Sequence, residues 1–244
     1  MKFTYDGYRE LLELLFKNGY KAVSYEYESD DEKIVVLRHD VDRSIQDAVR
    51  LSEIEKEYGI SAVYFILLSS DFYNVCTAES AKAISKICEN GGTIGLHFDE
   101  TKYDVNDISD MVKHIENEAA ILRQITGLDI KTVSMHRPSK TTLESDIVIP
   151  GIINSYSQKY FKEYKYLSDS RMHWRENAKE VIESGKYNKM QILTHAFWYH
   201  DKDYTPNEIL CSFIDRMKWN TYRNIVNNTT NPQEFITEDD VRKL

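Results

Sequence analysis

The chain has 244 residues, enough for one large α/β domain or two small ones and for a sizeable core. Its net charge of −9 argues against a phosphate-backbone partner and excludes nucleic-acid binding as a first reading. The three cysteines, Cys76, Cys88 and Cys211, stand far apart without C-x-x-C spacing, which excludes a disulfide framework and a zinc knuckle. No apolar leader follows Met1, and the longest apolar run, 62–68, is far too short for a membrane span. These features together point to a cytoplasmic protein with no integral membrane segment.

Residues 7–18 read as an amphipathic helix, with Tyr8, Leu11, Leu12, Leu14, Leu15 and Phe16 on one broad face and Gly19 closing it. Residues 25–31 are polar and acidic and read as a loop. Residues 33–37 form a β-branched run and read as a buried strand. In 44–58, Ile45, Ala48, Val49, Leu51 and Ile54 recur at helical spacing, and Gly59 ends the helix. A second buried strand is expected at 61–68, then a helix over 78–88 stopped by Asn90, Gly91 and Gly92. The third strand is 93–98. A long helix follows over 107–125, then a fourth strand at 131–135.

Residues 141–165 are less regular, with a firm turn at Pro150 and Gly151. A fifth strand is expected at 166–169, a helix at 177–184 and a sixth strand at 190–195. Pro206 opens a last helix carrying Ile209, Phe213, Met217 and Ile225, and the tail beyond Asn227 is polar and expected to be loose. Strand and helix alternate at intervals of about 30 residues, the signature of parallel βαβ units. No break in composition separates parts of the chain, so 1–244 reads as one domain with the helix 7–18 packed on it.

Polar residues of catalytic type collect at the strand ends. Asp40 and Asp42 follow the first strand. His97 and Asp99 end the third, His136 and Arg137 the fourth, Asp169 the fifth and His195 the sixth. Parallel α/β sheets and barrels place their sites at that edge. Two carboxylates two residues apart on a strand share a face, and two charges that close need a cation beside them. An Asp/His set of this kind suits Zn²⁺ or a similar divalent ion. His39 and Val41 face the other way, toward covering helices, and His39 reads as structural. No G-x-S-x-G elbow is present, and Cys76 and Cys88 have no basic partner, so nucleophilic catalysis by serine or cysteine is disfavoured.

Five segments in order carry a family resemblance: Arg38-His39-Asp40-Val41-Asp42, Ile94 to Asp99, His136-Arg137-Pro138, Ser168-Asp169-Ser170 with Trp174, and Leu193-Thr194-His195. Together they resemble the polysaccharide deacetylase superfamily over about 35–200. The resemblance implies a distorted (β/α) barrel with fewer than eight parallel strands. It also implies a divalent metal, often zinc, and removal of an acetyl group from an acetylated amino sugar or glycan precursor. Residue by residue, it implies Asp40 as catalytic base, with Asp42 and His97 as metal ligands. Arg137 would orient the base, and Asp169 would pair near that arginine. His195 would be the general acid, Leu193 would line the acetyl-methyl pocket, and Trp174 would form an aromatic wall.

Two positions depart from the pattern. The second histidine ligand of the family falls on Thr101 here, and the aromatic after the third motif's proline is Ser139. His136 is the substitute ligand, with Asp99 or Glu100 behind it. His136 and Arg137 reach one cavity only if the backbone bends there, which Pro138 favours. The expected function is a metal-dependent carbohydrate deacetylase. Two alternatives stay open: a cyclic amide or imide hydrolase of the same superfamily, and a non-catalytic relative whose metal site is degraded.

Overall fold

A computed structural model describes residues 1–29 and 32–244. The chain divides into two compact units, Met1–Asp201 and Lys202–Leu244. The first unit holds a parallel sheet. Its strands are β1 (Lys21–Ala22), β2 (Ile34–Val41), β3 (Val63–Leu67), β4 (Thr93–Asp99), β5 (Thr132–His136), β6 (Ile153–Asn154), β7 (Lys165–Ser168) and β8 (Lys189–Thr194). Seven run in the order β6-β5-β4-β3-β2-β8-β7, and β1 pairs with the start of β2 ahead of β3. All six predicted strands are present. The two-residue strands β1 and β6 are too short to leave a periodic signal. The predicted loop at 25–31 is turn and coil as far as Ser29, and its last two residues lie outside the described ones.

Helices α1 (Tyr5–Lys17), α2 (Ile45–Glu57), α3 (Ala78–Glu89), α4 (Ile108–Thr126), α5 (Lys140–Glu144) and α6 (Ala178–Glu183) fall between the strands or before them. Their starts are written in the sequence. The side chains of Thr4, Ser44, Thr77 and Asp107 each accept a first-turn backbone N–H. Every residue of β2 is buried, as a parallel strand covered on both faces must be. Alternation assigns the faces. Ile34, Val36, Arg38 and Asp40 turn inward, and Val35, Leu37, His39 and Val41 turn toward the helices. The inward apolar side chains join Val23, Tyr25, Val63, Phe65, Tyr160 and Tyr164 in one cluster.

The sheet curls, and side chains prove it. Ser155 directly follows β6, at the far end of the strand order from β8. Yet Gln191 on β8 donates to the carbonyls of Ser155 at 3.1 Å and Tyr160 at 3.0 Å. Arg38 on β2 donates to Ser155 Oγ across the same interior. No ladder joins β6 to β7 among the described residues, so the result is a distorted (β/α) barrel with one side open. The irregular stretch 141–165 supplies α5, β6 and a π-helical turn at Lys159–Glu163 that help to close this wall.

The second unit carries α7 (Pro206–Asn228) and α8 (Glu238–Arg242). Thr205 and Glu208 form a reciprocal capping box at the start of α7, with Pro206 in its first turn. The tail, expected to be loose, is helical at its end. Thr237 and Asp240 make a second capping box that starts α8. No helix among the described residues is long and apolar enough to cross a membrane.

Candidate metal and active site

Register explains why distant residues meet. Phe65 pairs with Asp40 on one side and Gly95 on the other, and the next inward row holds Leu67, His97 and Ser134. Asp99 pairs with His136, and Leu193 with Arg38. Gly95 is a spatial necessity, since a Cβ there would lie 2.5 Å from the Phe65 ring that fills the layer beneath. The rows end in a cavity of about 380 Å³ lined by Asp40, Asp42, His97, His136, Leu193 and His195, among others.

At its floor three ligand-type atoms converge. Asp42 Oδ1 lies 3.2 Å from His97 Nε2 and 3.3 Å from His136 Nδ1, and the two nitrogens are 3.1 Å apart. For bonds of about 2.0–2.1 Å, donors on a tetrahedral ion stand about 3.3 Å from one another. The triangle therefore fits one face of such a tetrahedron. Two further observations agree. Asp42 Oδ1 is buried without a well-directed hydrogen bond, although two imidazole nitrogens flank it. His97 Nδ1 lies 3.2 Å from the Ser134 carbonyl, which can only accept. Nδ1 therefore carries the proton, and Nε2 keeps its lone pair for the triangle. This donor set of one carboxylate and two imidazoles could hold a divalent ion.

Charge follows from the same geometry. Burial works against the Asp42 carboxylate, but the adjacent imidazoles of His136 and His97 and the charge of His195 outweigh it and hold its pKa well below the usual range. Burial likewise disfavours a charged His97, yet the neighbouring Asp40 and Asp42 raise its affinity for a proton. An ion entering the site competes with that proton.

Asp40 stands beside the triangle, its Oδ2 3.8 Å from His97 Nε2. Its carboxylate is held from below. Arg38 Nη2 donates to Oδ2 at 3.2 Å, and Ser134 Oγ lies 3.2 and 3.3 Å from the two oxygens. Arg38 has no exposed surface. Tyr156 OH accepts a further bond at 3.3 Å, and the rings of Phe65, Tyr156 and Tyr166 surround the guanidinium at 4.9–5.8 Å. On the opposite side His195 Nδ1 meets Asp169 Oδ1 at 2.6 Å, and the backbone N–H of His195 donates to both Asp169 oxygens. His195 Nε2 faces the triangle, 4.0 Å from Asp42 Oδ2. Burial would lower the His195 pKa, but Asp169, with Asp42 and Asp40 behind it, raises it to about 9.

Several expectations need correction. Arg137 does not touch Asp40. It is 63 % exposed and donates to Asp99 Oδ2 at 2.7 Å. The guanidinium that does hold Asp40 is that of Arg38, supplied by the same strand. Asp169 does not pair near Arg137 but with His195. Thr101 is bonded to Asp99 by both its N–H and its hydroxyl, and Glu100 is bonded to Ser139 and Thr142. Neither Asp99 nor Glu100 joins the triangle. Trp174 does not line the cavity, whose aromatic wall is Tyr156, Phe161, Tyr166 and Trp198. His136 and Arg137 both line it, as the expected bend requires. That bend falls on Arg137 itself, whose φ of 49° is unusual for a residue before proline.

No protein-family profile matches the chain, and no curated protein matches it in sequence. In three dimensions the chain is similar to carbohydrate esterases and deacetylases. A family 4 carbohydrate esterase from Bacillus anthracis shares 17 % identity, with 86 % of each chain covered and a TM-score of 0.45. The chitin deacetylase of the fungal pathogen Colletotrichum lindemuthianum shares 13 %, with 81 % of this chain and 86 % of that one covered and a TM-score of 0.45. An acetyl xylan esterase of family 4 from Clostridium thermocellum, solved with cobalt, shares 14 %, with 76 % and 84 % covered and a TM-score of 0.39. At such values the likeness concerns the course of the chain, and the chemistry has to come from the side chains.

Proposed function

We propose that the protein is a metal-dependent hydrolase that removes an acetyl group from an amino sugar or glycan precursor. The observation that carries this reading is the placement of one carboxylate and one histidine on opposite sides of a ligand triangle, within one cavity. Asp42, His97 and His136 hold the ion, with zinc the best match to one oxygen and two nitrogen donors. A divalent ion there supplies Lewis acidity, which activates water and polarises the acetyl carbonyl.

The chain's own groups move the protons. Asp40, fixed by Arg38 and Ser134, accepts the proton of the attacking water. His195 enters the reaction protonated at Nε2 because Asp169 stabilises its charge, and it delivers that proton to the departing nitrogen. Proton delivery matters because an amine leaves poorly as an anion. Leu193 offers an apolar contact for the acetyl methyl. The four aromatic side chains provide faces against which a sugar ring can stack. A cytoplasmic precursor is the proposed setting.

Asp40→Asn tests this directly. The variant should keep one ion per chain and lose about 10²–10⁴-fold in acetate release from acetylated amino sugars. Normal release would end the reading, as would wild-type protein that takes up no ion from added zinc. Cyclic amides and imides, run alongside, test the alternative hydrolase activity.

A further inference from the structure

Cations outnumber carboxylates on the cavity wall. Four arginines, Arg43, Arg137, Arg171 and Arg175, line it against two aspartates, Asp40 and Asp42, in a chain whose net charge is −9. Two of the four are engaged. Arg137 donates to Asp99 at 2.7 Å. Arg43 lies 3.9 Å from Asp42 Oδ2, and its guanidinium sits over the rings of Phe197 and Trp198 at 5.0 and 5.4 Å.

Arg171 and Arg175 are different. Both are exposed, and neither has a partner among the described residues. The carboxylates of their own segment are already taken. Asp169 holds His195, and Glu176 holds Lys165 at 2.5 Å. The backbone between them is strained. Arg171 and Met172 are consecutive non-glycine residues in the left-handed region, at φ 60° and 56°. A side chain with a Cβ takes that conformation only where its surroundings impose it, and such strain gathers at ligand clamps. The segment also starts from Asp169, the residue that orients His195, so the two arginines are registered to the general acid.

An acidic protein repels an anionic ligand at long range. A cleft with unpaired guanidinium groups reverses that field locally, and the planar fork of arginine matches phosphate and carboxylate oxygens. We infer that the site takes an acetylated sugar bearing an anionic group, a phosphate or a carboxylate. Arg171 and Arg175 grip that group while the acetyl end meets Asp40 and His195. This specificity rests on the deacetylase reading and narrows its substrate class.

The test compares acetate release by the metal-loaded full chain from N-acetylglucosamine, its 1-phosphate and N-acetylglucosaminuronic acid. The kcat/KM for at least one charged substrate should exceed that for the neutral sugar by about tenfold or more, and the phosphate and carboxylate arms identify which anion. In R171A/R175A that ratio should fall to about one, and in R171K/R175K it should be partly retained. R175E should favour the neutral sugar. Binding of N-acetylglucosamine 1-phosphate to the Asp40→Asn protein, measured by calorimetry, should weaken about tenfold or more when both arginines are replaced.

Equal turnover of all three sugars overturns the inference and leaves the deacetylase standing. A charge preference that survives R171A/R175A does the same. No turnover with arginine-dependent binding sinks the deacetylase and leaves the anion site standing. No turnover and no arginine-dependent binding sinks both.

Discussion

Two histidine–carboxylate pairs stand back to back across β2 and β8. On the helix side His39 Nε2 meets Glu55 Oε1 at 2.6 Å, and on the cavity side His195 Nδ1 meets Asp169 Oδ1 at the same distance. The first pair is sealed. Thr194 Oγ1 lies 2.7 Å from the other ring nitrogen of His39. Tyr8 and Tyr64 donate to the two Glu55 oxygens, and Tyr64 stacks on the imidazole. The second pair is open at one end, where His195 Nε2 looks into the cavity toward Asp42. The same two functional groups are therefore enclosed on one face and leave a ring nitrogen open to the cavity on the other. What decides is whether the second ring nitrogen already has a protein partner.

Substitutions can break this contrast from either side. The largest effect is expected from His195→Asn. Acetate release should fall about 10³-fold, roughly 4 kcal/mol, while the unfolding midpoint falls by no more than a few degrees. Steady-state kinetics beside a thermal melt reads both quantities, and a large loss of stability with retained turnover would reverse the assignment.

Glu55→Ala should do the opposite. It strips three buried partners at once, so unfolding in urea should show a loss of about 3 kcal/mol, while kcat of the folded fraction changes little. An unchanged midpoint would mean that the sealed pair is not a brace.

The smallest effect is a pH dependence of the metal-free protein. The folded pKa of His195 is raised to about 9, above its unfolded value of about 6.5. Its pairing with Asp169 therefore stabilises the fold fully below pH ~6.5, and that contribution is lost as pH rises through about 9. The difference in melting temperature between the wild type and His195→Asn should shrink by a few degrees between pH 6 and pH 10. A constant difference would contradict the pairing.

The sequence carries the barrel because its longer strands are short runs rich in apolar residues and because Gly19, Gly59, Gly91, Gly127 and Gly185 follow α1, α2, α3, α4 and α6, and it carries the site because parallel strands end on one edge. Asp40, Asp42, His97, His136 and His195 all stand at strand ends, and all line one cavity. Arg38 was not legible. A basic residue after 33–37 looks like the end of a strand, whereas β2 continues to Val41 with that guanidinium wholly inside. The available signal was its spacing from Asp40, since two residues apart on a strand means one shared face. The rings that enclose Arg38 come from Phe65, Tyr156 and Tyr166, a juxtaposition that only curling of the sheet creates. Trp198 was missed for a related reason. It lies in the turn after β8, three residues beyond His195, and no periodicity aims a turn residue.

The gap between β6 and β7 leaves one side of the barrel without a backbone ladder. Asp42, His97 and His136 stand on or next to strands joined by continuous backbone ladders. Tyr156, Phe161, Tyr166, Arg171 and Arg175 belong to the segments on either side of the gap, which is bridged by single side chains such as Gln191. Substitutions at exposed positions beside that gap, such as Arg171 and Arg175, can redraw what enters the cavity without shifting the three ligand atoms. A search for altered selectivity should therefore vary Phe161, Arg171 and Arg175 and keep Asp169, the rings around Arg38 and the laddered strands untouched.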